Sequence, residues 1–272
     1  MTMPTMVRRV ALGLLVVGLG AAPAGAGSIT INMSTRAELG EKELTVNLTV
    51  GNSGDEAAGS VVPILRLRDR EVRAAREDSL PPGGRIERTL VAPAEDLGEG
   101  RWPFRIAVSY TDQNQYPFQA LHVSLVTRGN PLPAKIAVTK VDISPLETTA
   151  DMAMRVKNLA GVDRAATVTL YAPEDIGVEG GPAGVELDPW AEDTVDFEIT
   201  NRTALVGSRY PVFAAVEYDE DGAHHAVVAQ GIVEVASPRA YVPRALMWVV
   251  GALLLGWIVL LAWRARSRRA AA

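Results

Sequence analysis

Between Leu44 and Val50 every second residue is apolar: Leu44, Val46, Leu48 and Val50 alternate with Thr45, Asn47 and Thr49. The same alternation runs through Trp102, Phe104, Ile106, Val108 and Tyr110, set against Pro103, Arg105, Ala107 and Ser109. Successive side chains of a strand point to opposite faces, so this period of two describes strands with one face in a core and does not fit a helix. Further strands are expected near 28–33, 60–67, 71–76, 85–91 and 117–126, separated by turn residues such as Asn52-Ser53-Gly54 and Pro81-Pro82-Gly83-Gly84. Seven short strands in about a hundred residues predict an all-β antiparallel sandwich.

The pattern recurs. Arg101-Trp102-Pro103-Phe104-Arg105-Ile106-Ala107-Val108-Ser109-Tyr110 aligns with Arg209-Tyr210-Pro211-Val212-Phe213-Ala214-Ala215-Val216-Glu217-Tyr218, an offset of 108. Asn52 matches Asn158 at 106, and Leu80-Pro81-Pro82 matches Leu187-Asp188-Pro189 at 107. Three ordered landmarks at nearly constant spacing predict a duplicated domain. The first copy is expected over 27–128, a linker over 129–134 and the second copy over 135–237. Two prolines, Pro131 and Pro133, limit bending of the linker, so the copies are expected in a fairly fixed line.

Both ends carry membrane signals. Arg8 and Arg9 precede an apolar run from Val10 to Leu19, and Ala24-Gly25-Ala26 fits a cleavage site, so 1–26 reads as a signal peptide. Ala245 to Trp263 holds no charged residue and, at ~1.5 Å per residue, matches a ~30 Å hydrocarbon core, so 245–263 reads as a transmembrane helix after a stalk at 238–244. Trp248 and Trp263 stand near its ends, and Arg264, Arg266, Arg268 and Arg269 follow in a basic tail at 264–272. Aromatic rings favour the headgroup level and basic clusters stay on the cytoplasmic side, which puts 27–238 outside the membrane and the tail in the cytoplasm. The segment before the span has no Pro-Glu-Pro, Gly-Gly or Leu-Pro-x-Thr-Gly motif, so a permanent single-pass anchor is expected rather than a processed sorting signal.

Composition narrows the function. With 272 residues and no cysteine, a disulfide framework, a cysteine zinc site, an iron–sulfur centre and a thiol nucleophile are excluded. All 32 acids fall between residues 27 and 238, where 19 bases remain, so this part carries −13. Such a domain pair would repel nucleic acid. Only four of the 27 bases are lysine, and the frequent Ala, Gly, Val and Arg point to a bacterial source.

Val50-Gly51-Asn52, Leu80-Pro81-Pro82-Gly83 and Gly98-Glu99-Gly100-Arg101-Trp102 together resemble bacterial immunoglobulin-like β-sandwich modules of the cell-adhesion-related CARDB type and the module attached to some bacterial galactosidases. The second copy departs at Leu187-Asp188-Pro189-Trp190, where tryptophan takes the glycine position and the turn is expected to differ. The resemblance implies two tandem immunoglobulin-like domains with an extracytoplasmic binding or spacer role, and it carries over no catalytic residue.

The residues themselves offer little chemistry. Gly-x-Ser-x-Gly and a phosphate loop are absent, and no enzymatic activity or cofactor is expected. His122 alternates with Leu121 and Val123 and reads as a solvent-facing strand residue. Glu217-Tyr218-Asp219-Glu220-Asp221-Gly222-Ala223-His224-His225 gathers carboxylates and imidazoles about an Asp-Gly turn, making Asp219, Asp221 and His224 the only candidates for a metal. Solvated turn acids are the simpler reading, and His224 and His225 should point to opposite faces. Trp190 and Tyr116, both in loops, are the candidates for stacking on a glycan. Three functions stay open: an anchored interaction or scaffold protein with an envelope protein partner, a glycan- or wall-binding module, and an accessory subunit of a transport or secretion complex.

Overall fold

A computed structural model of the chain describes residues 27–130, 133–237 and 256–257. The expected signal peptide, stalk and basic tail lie outside the described residues, as does the expected span apart from Gly256 and Trp257, which are helical. Among the described residues no helix is long and apolar enough to cross a membrane.

The chain is all-β. Eight strands form a first sandwich: β1 (Ile31–Leu39), β2 (Glu43–Asn52), β3 (Ala58–Leu67), β4 (Arg70–Arg73), β5 (Glu77–Leu80), β6 (Arg85–Pro93), β7 (Gly100–Thr111) and β8 (Pro117–Arg128). Eight more form a second: β9 (Ile136–Ile143), β10 (Thr149–Asn158), β11 (Arg164–Tyr171), β12 (Ile176–Val178), β13 (Ala183–Leu187), β14 (Glu192–Asn201), β15 (Arg209–Glu220) and β16 (Ala223–Glu234). In the first, sheet β1-β2-β6 packs on β3, β7 and β8, with β4 and β5 pairing the outer edge of β3. In the second, β12-β14-β10-β9 packs on β13-β11-β15-β16. The named strands within each sandwich pair antiparallel, with one isolated parallel bridge between Leu146 and Val235 in the second, consistent with an immunoglobulin-like fold.

The alternating residues fill these cores. Leu44, Val46, Leu48 and Val50 from β2 meet Phe104, Ile106 and Val108 from β7, all buried. The first strand runs later than expected, to Leu39, because its inward residues include Thr35 and Ala37, which blur the apolar alternation. The stretch expected at 71–76 is two short strands, β4 and β5, which pair with opposite ends of β3.

A buried asparagine closes each sandwich in the same way. Asn52 Nδ2 donates to the carbonyls of Glu56 (2.7 Å) and Leu80 (3.1 Å), while its Oδ1 accepts from the amides of Gly54 (3.0 Å) and Thr30 (3.3 Å). Asn158 Nδ2 donates to Val162 (2.7 Å), Leu187 (3.2 Å) and Asp188 (3.0 Å), and its Oδ1 accepts from Ala160 N (3.1 Å). One amide thus satisfies the backbone of two loops that could not otherwise be buried. The glycine-to-tryptophan departure leaves the turn largely intact: Gly83 (φ 72°) and Trp190 (φ 63°) are both left-handed, and Ala191 N→Asp188 O repeats Gly84 N→Pro81 O.

The two sandwiches do not lie in a line. The second folds back beside the first, and the outward face of β3, β7 and β8 meets the second sandwich through Ile64, Ala107, Leu121, Val123 and Phe213, with Val62, Tyr171 and Val228 at the margin. Arg105 lies over the ring of Tyr171 at 4.4 Å. The sheet of β3, β7 and β8 carries apolar residues on both faces, and the second sandwich buries the outer one. The reversal puts Gly27, the 112–116 loop and the 202–208 loop at one end, where they share a cleft, and the Asp221 turn and Trp190 at the other.

Gly100 makes this approach possible. Its φ is 127°, and a Cβ there would stand 2.0 Å from the backbone oxygen of His224. Replacing Gly100 with Ala should therefore separate the sandwiches while each keeps its core, seen in small-angle scattering as a radius of gyration larger by roughly 5 Å. Asn52→Ala and Asn158→Ala leave several backbone groups unpaired, and each should destabilise its own sandwich by about 3 kcal/mol in denaturant unfolding.

Candidate functional site

The β15–β16 hairpin turns through Asp221 (φ 52°) and Gly222 (φ 75°), two successive left-handed residues that make a tight hairpin turn. Its register sets Asp219 opposite His224 and Tyr218 opposite His225. The two histidines separate as adjacent strand residues must. His225 is buried and stacks on Tyr218, centroids 4.8 Å apart, while His224 faces the first sandwich.

His224 is held on every side. Its Nδ1 lies 2.8 Å from Asp219 Oδ1 and its Nε2 3.2 Å from Glu217 Oε1. Its ring stacks on Trp102, centroids 3.8 Å apart and 9° from parallel, and Arg68 covers Trp102 at 5.5 Å. Its backbone N–H donates to Glu99 O at 2.9 Å, beside the single parallel bridge to Gly100. The structure thus brings together Asp219 and His224 but not Asp221, which serves the turn. Among the described residues no three His, Cys, Asp or Glu side chains are arranged to hold a metal ion. What this hairpin forms is a clasp between sandwiches. Glu217 and Trp102 complete it: Glu217 belongs to the acidic segment read in the sequence but is not among the metal candidates, and it reaches His224 across the hairpin from β15, whereas Trp102 belongs to the other sandwich.

Burial opposes charge on His224, but its hydrogen bonds to Glu217 and Asp219 outweigh that cost and hold its pKa above the usual value. His122 goes the other way. It is half-buried, not solvent-facing, because the second sandwich covers it: the Phe213 ring meets it edge-on at 6.1 Å, and burial lowers its pKa.

The two aromatic candidates fall at opposite ends. Tyr116 is exposed in the β7–β8 loop, where its N–H donates to Asp112 Oδ1 at 2.9 Å. Trp190 is 64% exposed at the β13–β14 turn, its N–H donating to Ala160 O at 3.1 Å. Leu159 and Val162 are exposed in the same β10–β11 loop that Trp190 contacts, and Gly161 has the indole nitrogen near it. Because Asn158 pins both loops from within, this apolar tip is rigidly presented. The residues expected to anchor the chain in a membrane, Trp248, Trp263, Arg264, Arg266, Arg268 and Arg269, lie outside the described residues.

A folded-state pKa raised above the unfolded value stabilises the protonated form, so the His224 contribution is full below about pH 6.5 and is lost as pH rises through the raised pKa. His224→Gln should therefore lower the melting temperature of the paired sandwiches more at pH 6 than at pH 9, as measured by calorimetry across that range.

No protein-family model matches the chain, and no curated protein does. Solved structures similar over 77% of the chain include Escherichia coli alpha-2-macroglobulin activated by porcine elastase (14% identity, TM-score 0.31, 22% of that chain covered). They also include the native conformation of the same protein (12%, TM-score 0.32, 17% covered) and red sea bream transglutaminase (10%, TM-score 0.26, 31% covered). The chain spans less than a third of the length of each.

Proposed function

We propose that the protein is a non-catalytic, single-pass membrane protein whose two immunoglobulin-like domains, of the CARDB type, stand outside the cytoplasmic membrane and engage another envelope protein. The signal-peptide pattern at 1–26, the uncharged run 245–263 and the arginines after it support the topology. The observation that carries the interaction is the tip formed by Trp190, Leu159 and Val162, three large apolar residues exposed together around a buried hydrogen-bonded anchor. An L-residue in the left-handed region costs about 1–2 kcal/mol, and an exposed tryptophan gains nothing in the core to offset it. A large ring rigidly presented at a domain tip matches the anchor residues that dominate protein–protein interfaces.

A glycan platform is less well supported. Sugar stacking asks for aromatic rings on one face, whereas Tyr116 and Trp190 are separated by the length of a strand pair, roughly 35–40 Å at ~3.3 Å per residue. In the accessory-subunit reading the span itself would contact partner helices, and its replacement by an unrelated apolar helix would abolish assembly.

Trp190→Gly relieves the left-handed strain while loosening the unfolded chain, so its stability should lie within about 1 kcal/mol of the parent. Cross-linking in native membranes followed by mass spectrometry should recover a protein partner with the parent chain and lose it with Trp190→Gly. Equal recovery from both would overturn the assignment of the tip, and retention on cell-wall polysaccharide without a protein partner would replace this reading with the glycan one.

A further inference from the structure

The end of the second sandwich opposite Trp190 carries a different apolar feature. In the loop after β14, Leu205 and Val206 are 53% and 59% exposed, the largest exposure of any aliphatic pair in the sandwich region. Their exposure is built in rather than incidental. Asn201 and Ala204 exchange hydrogen bonds (2.9 and 3.1 Å), Leu205 N donates to the buried Tyr210 hydroxyl (3.2 Å), Ser208 N donates to Leu205 O (3.1 Å), and Gly207 N donates to Val235 O (2.8 Å). A loop tied at five points holds two aliphatic side chains in water, which costs free energy unless something covers them.

Where the chain leaves the fold identifies the cover. Val235, bonded to this loop, is two residues from the last described residue of the sandwich, and the uncharged segment begins at Ala245. Even fully extended, the 238–244 stalk reaches only about 25 Å, so the loop must stay close to any bilayer that 245–263 crosses. The fold-back brings the first sandwich to the same end: Gly27 and Asn114 share a cleft of about 520 Å³ with Leu205 and Arg209, and the exposed ring of Tyr116 stands in the adjoining 112–116 loop. Exposed Arg202 lies beside the tip, and Arg209 is paired with Glu234 at 3.2 Å. Glu56, Asp112 and Glu174 also lie at this end, so apolar insertion and not net charge must drive the contact.

We propose that this end is a membrane-docking surface: Leu205 and Val206 enter the interface of the bilayer that holds the anchor, with Tyr116 at headgroup level. The proposal rests on the anchored topology put forward above. Docking fixes the paired sandwiches upright, with the tether end on the lipid and the Trp190 tip turned away from it.

The absence of cysteine makes the test direct. Full-length Leu205→Cys and Val162→Cys variants, each labelled with an environment-sensitive fluorophore, are reconstituted into phosphatidylethanolamine–phosphatidylglycerol vesicles containing spin-labelled lipid. Both positions are exposed, so both variants should fold as the parent does. Penetration of ~5–10 Å into the headgroup region predicts quenching at 205 at least about twofold stronger than at 162. Equal quenching in protein that resists carbonate extraction overturns the docking and leaves the anchor standing. Release of the protein by carbonate overturns the anchor itself, and the docking with it.

Discussion

Covering the second face of one sheet governs the shape of this molecule. The strands β3, β7 and β8 bury one face inside their own sandwich and are left with Ile64, Ala107, Leu121 and Val123 on the other. An apolar face of that kind is stable only when packed, and the second sandwich supplies Phe213, Tyr171 and Val228 to pack it. From this one contact follow the reversal of the chain, the close approach at Gly100, the burial of His122 and the separation of the molecule into two ends.

The polar contacts around the seam add specificity more than adhesion. Arg105 over Tyr171 and Trp102 against His224 tolerate only one register between the sandwiches, because ring stacking and cation–π contacts fall off with small displacements. His224 carries the imidazole of this set, and its two carboxylate neighbours favour the protonated form and make the acid side the tighter one. A compact, laterally paired arrangement is also shorter than two domains in a row.

Within each sandwich, the asparagine amide does the work that regular ladders cannot. Loops need backbone partners, and a buried side chain with two donors and an acceptor supplies them at the end of β2 and again at the end of β10. The repeated contacts explain why the second copy tolerates Trp190 where the first has Gly83: the turn is held by Asn158 and by Ala191 N→Asp188 O, so its geometry survives the loss of glycine's freedom. The ring is then left in solvent, where packing gives it no role.

The sequence by itself determined the sandwich. Period-two alternation through β2 and β7, the Asp221-Gly222 turn and the pairing of Asn52 with Asn158 are local or repeated signals, and strand geometry converts them directly into faces and turns. The docking of one sandwich on the other was not legible, because it joins residues about a hundred positions apart whose alternation looks the same whether the outer face meets water or protein. One signal for it existed: Val61-Val62-Pro63-Ile64-Leu65 is a continuous apolar run rather than an alternating one, which marks a strand covered on both faces. Only the tertiary structure decided that His122 is shielded, that His224 stacks on Trp102, and that Asn114 and Leu205 share one end, since each depends on how the two sandwiches pack.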